Sequence, residues 1–332
     1  MEFGINLGMP NPSLSPTQQL EDWRATLRTT KEAGFSFVSA LHQWLSHPFQ
    51  FLSPFPILAW MAGQFPELNF MTGVLQLPAL NPAQFAEDVV TLDYLTEGRC
   101  LIGVGLGYRP DLFQAVGAEK SQRTALFEES LEIAKGLWSG ERVNHNGAHF
   151  HISGQLARVP VQQPHPPIVI GAQSKGAVIR AGTLGDGWYI PSQVGEDDLD
   201  ELFPIYLAAR RTAGKTGAGV TVLTRNVCIA DTDEAAKDHA AGFMNDTFAA
   251  YRPLGLEERT TVRVHRTFEE EITTRAVVGS VATCQRRLSS ILLRYPVSHL
   301  QLRPQGPGFT GSEDGLRKSL MLLGERVLPS LV

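Results

Sequence analysis

The residue best placed to do chemistry is His42, which follows the apolar run Phe35 to Ala40 and precedes Gln43-Trp44. An imidazole at the end of a buried strand can serve as a general base or orient an oxygen-bearing group. Read alone, it is more readily a core histidine satisfied by backbone. A second group lies between Cys100 and Arg123. Cys100-Leu101-Ile102 reads as a buried strand, followed by Gly103, Gly105 and Gly107 at alternate positions. Glycines where a strand meets a loop let backbone approach a ligand phosphate or ring. A dinucleotide fingerprint needs a helix directly after the glycines. Here Tyr108-Arg109-Pro110 intervenes and the last glycine stands one residue early. Arg123 opens the next helix and offers a planar fork for phosphate, against the competing reading of a surface ion pair with Glu119 or Glu128. Tyr108 and Arg109 could contact phosphate or substrate. Ser174 begins a helix after Ile168-Val169-Ile170-Gly171, adding a hydroxyl to free N–H groups.

Other constellations point nowhere. His145, His149, His151 and His165 have no thiol or carboxylate beside them in sequence, so no metal site is expected. Asp186 in GDGW reads as a turn former. A glycosidase-type hydrolase would need paired carboxylates at strand ends, and none is supplied.

The elements that must position these residues alternate regularly. Strands are expected at Glu2 to Gly8, Phe35 to Ala40, Asn69 to Pro78, Cys100 onward, Ile168 to Gly171, Gly187 to Ile190, Thr221 to Ile229 and His299 to Leu302, each followed by a helix. Eight such units without a low-complexity linker fit one closed (β/α)8 TIM barrel over residues 1–332, with insertions at about 139–167 and 246–278. Active-site groups should then lie at the strand C-terminal ends. Those ends carry Asn6, His42, Gln76, the turn from Gly105 to Tyr108, Gln173-Ser174, Pro191-Ser192 and Arg303. Asn6, Trp44, Gln76 and Ser192 are candidates for a substrate pocket, with Phe49 and Phe51 nearby in sequence.

Composition narrows the class. The chain has 332 residues, 43% hydrophobic and 19% charged, with net charge −5. That is ordinary globular composition with no basic block, which argues against nucleic acid as a partner. Three scattered cysteines signal no disulfide framework. The start MEFGINLG reads as a strand rather than a leader, and no stretch reaches the roughly 18 apolar residues of a membrane span. A cytoplasmic protein is expected.

The run LTEGRCLIGVGLGYRP, then Phe113, Gly117 and Arg123, Leu137-Trp138, PVQQPHPPIVIGAQS and GDGWY resembles the bacterial luciferase-like flavin-dependent oxidoreductases, in that family's order over nearly the whole chain. The resemblance implies a TIM barrel holding reduced FMN, or alternatively the deazaflavin F420, at its mouth. Its phosphate site maps onto Gly105, Leu106, Gly107, Arg123, Gln173, Ser174 and Ala177, with Tyr108 adjoining. His42 matches the family histidine near the flavin's reactive edge. The chain departs from luciferase at Leu106, where an arginine stands, at Ala177, where a threonine stands, and at Leu41, commonly acidic. The implied activity is a two-component monooxygenase, supplied by a separate flavin reductase, that oxygenates a small, largely apolar organic substrate through a peroxyflavin. The alternatives are F420-dependent hydride transfer and a flavin-binding barrel without turnover. A homodimer is implied, with Trp60 and Met61 on an apolar face.

Overall fold

The computed structural model describes residues 1–7, 10–45, 47, 51–241, 267–304 and 313–331. Phe49 and residues 246–266 of the second expected insertion lie outside the described residues. The chain opens with β1 (Glu2–Asn6), α1 (Pro16–Glu32), β2 (Phe37–Ala40), α2 (Pro54–Gln64), β3 (Asn69–Gln76), α3 (Pro82–Leu95) and β4 (Cys100–Gly105). It continues through α4 (Pro110–Ala115), α5 (Arg123–Trp138), the hairpin β5 (Val143–Asn146) and β6 (His151–Gly154), β7 (Ile168–Gly171) and α6 (Lys175–Leu184). Then come β8 (Gly187–Ile190), α7 (Glu196–Thr212), β9 (Val220–Ile229), helix α8 covering 233–241, α9 (Phe268–Thr274), β10 (Ala276–Gly279), α10 (Val281–Arg294), β11 (His299–Pro304) and α11 (Glu313–Leu322).

Local chemistry sets the boundaries. Ser15 and Gln18 form a reciprocal cap on α1, with Pro16 in the first turn, where its missing N–H costs nothing. Asn81 accepts the N–H groups of Ala83 and Gln84 at 3.0 and 3.2 Å and starts α3. The strands are apolar on both faces, as in parallel sheets covered by helices.

The strand order β1-β2-β3-β4-β7-β8-β9-β11 returns to β1 and closes an eight-stranded parallel (β/α)8 barrel. All eight strands are those expected from the sequence. The ninth, β10, was assigned to the charged insertion. It pairs with the far end of β9, Asn226 to Ile229, beyond the Val220 to Leu223 segment that holds β8. The stretch before Arg123, expected as loop, contains the short helix α4, which begins at Pro110.

By internal contacts the chain divides into two compact units. One comprises Met1–Asn6, Pro10–Val38 and Gly171–Val332; the other comprises Leu7–Met9 and Ser39–Ile170. In the first, Trp188 packs on Phe203 and Tyr206, with ring centroids 5.0 and 5.2 Å away, and donates its indole N–H to the Ala172 carbonyl at 2.9 Å. In the second, Trp138 packs on Phe85 at 5.8 Å and donates to the Ala86 carbonyl at 3.1 Å. Each tryptophan buries a large apolar body while its one donor is satisfied. Met61 belongs to this second core, fully buried, so it offers no surface to a partner.

Candidate active site

The second unit gathers its polar groups at the ends of β2, β3 and β4. His42 lies two residues past β2 and is only 4% exposed. Its Nδ1 accepts the backbone N–H of Gln76, the last residue of β3, at 3.1 Å. An acceptor at Nδ1 puts the proton of the neutral ring on Nε2. Burial lowers the His42 pKa from 6.5 to about 4, so the ring is neutral near pH 7. Nε2–H makes no hydrogen bond among the described residues, and the Trp44 ring stands edge-on at 5.5 Å. The arrangement can offer a fixed N–H to an oxygen. It can accept a proton only by forming a buried cation.

Gln76 does more than supply that N–H. Its side-chain Nε2 donates to the His42 carbonyl at 3.2 Å and to Gln43 Oε1 at 3.1 Å. Gln43 Nε2 in turn donates to the Tyr108 hydroxyl at 3.4 Å. Both amide hydrogens of Gln76 are thereby used, which fixes its orientation, and its Oε1 is buried without a partner. His42, Gln76 and Tyr108, distant in sequence, thus belong to one chain of contacts. Gln43, not singled out from the sequence, links them; its place one residue after the strand-end histidine was the available signal.

Arg109 is committed to the loop after β2. It is buried, and its two terminal nitrogens donate to the carbonyls of Trp44 and Leu45, each at 2.6 Å. Nε donates to Asp111 at 3.1 Å, and a terminal nitrogen closes the pair. Burial alone would raise the Asp111 pKa, but Arg109 outweighs it and holds the carboxyl below its usual value. Leu45 has φ +48°, a conformation that costs a branched residue about 1–2 kcal/mol. Arg109 clamps the carbonyls on either side of that strained link.

The glycine turn packs against protein first. A Cβ on Gly103 would stand 2.1 Å from the Thr72 carbonyl, and one on Gly105 would stand 3.0 Å from Val74. Both press on β3 where its register shifts between Thr72 and Leu75. Thr72 Oγ1 bonds the backbone of Gly103 through both its N–H and its carbonyl, at 2.8 and 2.9 Å. Gly107 has φ +70°, so the turn itself requires glycine there. Leu106, Gly107 and Tyr108 are half-buried. Arg123, also half-buried, is the first residue of α5 and donates to the Lys120 carbonyl at 3.2 Å. It forms no ion pair among the described residues, with Glu119 and Glu128 included.

The first unit places Gln173, Ser174 and Ala177 at the start of α6, all half-buried. Ser174 is the cap residue by backbone geometry, yet its hydroxyl makes no capping bond. The space beside Gly176 is open. Four N–H groups at such a terminus lack helical partners, so the free hydroxyl and open backbone suit an oxyanion. Asn6 and Ser192 sit buried at the ends of β1 and just past β8. Further down the same unit, Gln301 of β11 donates to the Tyr189 hydroxyl of β8 at 3.0 Å and to Thr224 of β9 at 3.3 Å.

The first insertion is held by Glu129 on α5. Its carboxylate accepts from the backbone N–H groups of His149 and Phe150 and contacts His145 Nε2 at 3.0 Å. Desolvation would raise its pKa, but these donors prevail and lower it. His149 and Phe150 lie in the hairpin turn and His151 begins β6.

The sequence matches the luciferase-like monooxygenase family over residues 1–291. It is 30% identical over 211 residues to the F420-dependent glucose-6-phosphate dehydrogenase of Kineococcus radiotolerans, covering 62% of this chain and 60% of that protein. The chain thus spans about three fifths of that relative's length. In fold it is similar to the monooxygenase RslO1 of Streptomyces bottropensis, with a TM-score of 0.84 at 21% identity over 100% of both chains. The oxygenating constituent of 3,6-diketocamphane monooxygenase of Pseudomonas putida, solved with FMN, gives 0.81 at 19% over 100% of this chain and 99% of that one. With a family match running through β10 and α9 and most of α10, this chain belongs to the luciferase-like monooxygenases.

Proposed function

We propose that the protein is a flavin-dependent monooxygenase that uses reduced FMN on a small organic substrate. The observation that carries the reading is His42, neutral and held as an Nε2–H donor by the backbone of Gln76. Such a donor can hold the oxygen of a reacting group, or hand it a proton, without placing a charge in the pocket beforehand. Reduced FMN, when bound, supplies the electrons that activate dioxygen. In the first unit Ser174 and the α6 N-terminus would hold its phosphate, with Gln173 and Ala177 beside them; in the second, Gly105, Leu106, Gly107, Tyr108 and Arg123 remain cofactor contacts implied by the resemblance. The uncommitted Ser174 hydroxyl and the open backbone at Gly176 fit that role. Trp44, 37% exposed and edge-on to His42, gives an aromatic wall for the apolar body of a substrate. Gln76 adds a polar contact there; Asn6 and Ser192, in the first unit, stay proposed substrate contacts by their place at strand ends. A separate reductase would deliver reduced flavin, since the sequence carries no second nucleotide fingerprint. The three buried free thiols support a reducing, cytoplasmic setting. A homodimer remains part of the proposal, on surfaces other than Met61.

F420-dependent hydride transfer is the second reading, favoured by the F420-dependent dehydrogenase relative at 30% identity. FMN is preferred because the cations near the implied phosphate positions are committed elsewhere: Lys175 beside Ser174 pairs with Glu201 at 2.5 Å, and Arg109 is engaged by Trp44, Leu45 and Asp111. Few uncommitted cations suit a single phosphate better than the longer acidic tail of F420. Titrating the protein with FMN and F420, oxidised and reduced, tests the choice. Tight binding of reduced FMN with substrate-stimulated oxygen uptake is expected. Selective binding of F420 would transfer the assignment to hydride transfer, and binding of neither would remove both.

A further inference from the structure

We propose that Arg225 is the centre of a buried anion site in the first unit, and that its ligand is a small monovalent anion of halide size, such as chloride.

Arg225 belongs to β9, and the alternation of that strand sets the side it faces. Its neighbour Thr224 meets Gln301 of β11 at 3.3 Å, and Gln301 meets the Tyr189 hydroxyl of β8 at 3.0 Å although β9 runs between those strands. Two side chains meet across an intervening strand only on one side of the sheet. The helices lie on the other side, since Trp188 beside Tyr189 packs on Phe203 and Tyr206 of α7. Arg225 therefore points outward, between the barrel wall and its helices. Its ionisable neighbours agree. Glu196 opens α7, Arg275 follows α9, Arg287 lies on α10 and Tyr295 follows α10.

The arginine is a buried cation short of acceptors. It is 0% exposed. Among the described residues Nη1 donates to the Thr224 carbonyl at 3.0 Å, whereas Nε and Nη2 are buried with no partner. Those two nitrogens make up one edge of the guanidinium, and their N–H bonds run side by side toward a common acceptor position. The described acceptors nearby are engaged by other groups. Glu196 takes Arg287 on Oε1 at 3.1 Å and Arg294 on Oε2 at 3.2 Å. Glu271 takes Arg275 at 2.5 Å. The carbonyls of Ile272 and Thr273 take Arg287, each at 2.7 Å. The Tyr295 hydroxyl is turned to the Glu196 carbonyl and to Asp200.

Burial pushes the Arg225 pKa down only to about 10, so the group stays charged at neutral pH. A water at Nε and Nη2 would satisfy the N–H groups and leave the charge; an anion answers both needs. Complete enclosure favours a single atom over a carboxylate or a phosphate. An anion there joins β9 to α7 and α10, so the stability of the protein follows halide concentration.

Thermal unfolding of the full chain in sodium gluconate and in sodium chloride, at equal ionic strength and pH 7, tests the site. Replacing gluconate, too large to enter, by chloride should raise the midpoint by about 3 °C, with a dependence that saturates. Arg225→Met removes the cation and keeps an apolar chain in its place, so it should unfold at one temperature in both salts. Crystals grown in bromide supply an anomalous scatterer, expected within hydrogen-bonding distance of Arg225 Nε and Nη2. That measurement on wild type decides the site if Arg225→Met fails to fold. Equal midpoints in wild type would overturn the proposal, as would a chloride shift that Arg225→Met retains, which belongs to the surface. A bromide map with no peak at Arg225 would overturn it as well. A peak there without a chloride shift would mark an adventitious ion only, and would overturn it too.

Discussion

The strand ends of the two compact units are built on opposite plans. In the second unit, polar groups spend their hydrogen bonds on one another: Gln76 on His42 and Gln43, Gln43 on Tyr108, Arg109 on Trp44, Leu45 and Asp111. In the first, the Ser174 hydroxyl and the Asn226 amide are uncommitted. Spent groups fix a geometry and a protonation state before any ligand arrives, which is what a reacting centre needs. Uncommitted donors gain most when a ligand supplies the missing partner, which is what a binding surface needs. On the proposed function, the contrast suits chemistry at His42 and phosphate binding at Ser174, and it can be broken from either side.

The hardest blow falls on His42. His42→Ala removes the held N–H donor and should lower turnover by about 10²- to 10⁴-fold, with cofactor affinity within about threefold. Steady-state kinetics at saturating cofactor, beside a binding titration, separates the two effects. Unchanged turnover in a variant that still binds cofactor would place the chemistry elsewhere.

The same residue makes a pH prediction whose sign follows from burial. The folded pKa is about 4 against 6.5 for the free side chain, so the unfolded chain takes up the proton first. The stability tied to neutral His42 is present above pH 6.5 and is lost as pH falls toward 4, to a total of roughly 3 kcal/mol. Urea midpoints at pH 7 and 4.5 should therefore diverge more in wild type than in His42→Gln, which has no such proton to gain. Equal divergence would mean that His42 does not resist protonation and that its surroundings are wetter than its 4% exposure implies.

Arg109→Met tests whether the loop after β2 is held from within. It orphans the Trp44 and Leu45 carbonyls beside a residue at φ +48° and should cost about 2 kcal/mol of stability. Loss of cofactor affinity without loss of stability would instead make Arg109 a ligand contact and narrow the difference between the units. Glu129→Gln probes the hairpin, where one carboxylate serves two N–H groups and His145. The expected loss is about 1 kcal/mol, seen as faster amide exchange confined to residues 143–154.

What could be read from the sequence divides along similar lines. The eight barrel strands were legible because each is a short apolar run bounded by turn formers, a property of the run itself. β10 was not, because Ala276 to Gly279 is four residues beside the charged Phe268–Thr274 helix, and its pairing with the far end of β9 is non-local. Gly103 and Gly105 were expected to admit a ligand, whereas both make room for β3 at its register shift, which no feature of the glycine stretch announces. His42 was visible as a strand-end histidine. Its tautomer was not, because that depends on a backbone N–H 34 residues away. Arg109 was left open between phosphate and substrate, and its partners, Trp44 and Leu45, are 65 and 64 residues distant. Single residues with local causes could be read; roles set by a partner on another strand could not.

The smallest effect offers the finest test of the contrast. Ser174→Ala removes a hydroxyl that makes no bond with any described residue, so it should leave stability within about 0.5 kcal/mol, unlike the loss of an ordinary helix cap. Its whole cost should appear on binding, as a three- to tenfold weaker cofactor affinity, about the value of one hydrogen bond to a phosphate oxygen. Turnover at saturating cofactor should not change, because the hydroxyl would hold a part of the cofactor that does not react. A thermal shift beside a cofactor titration reads both quantities on one preparation. If stability falls by 1 kcal/mol or more and affinity does not, Ser174 is a cap after all, and the first unit spends its polar groups as the second does.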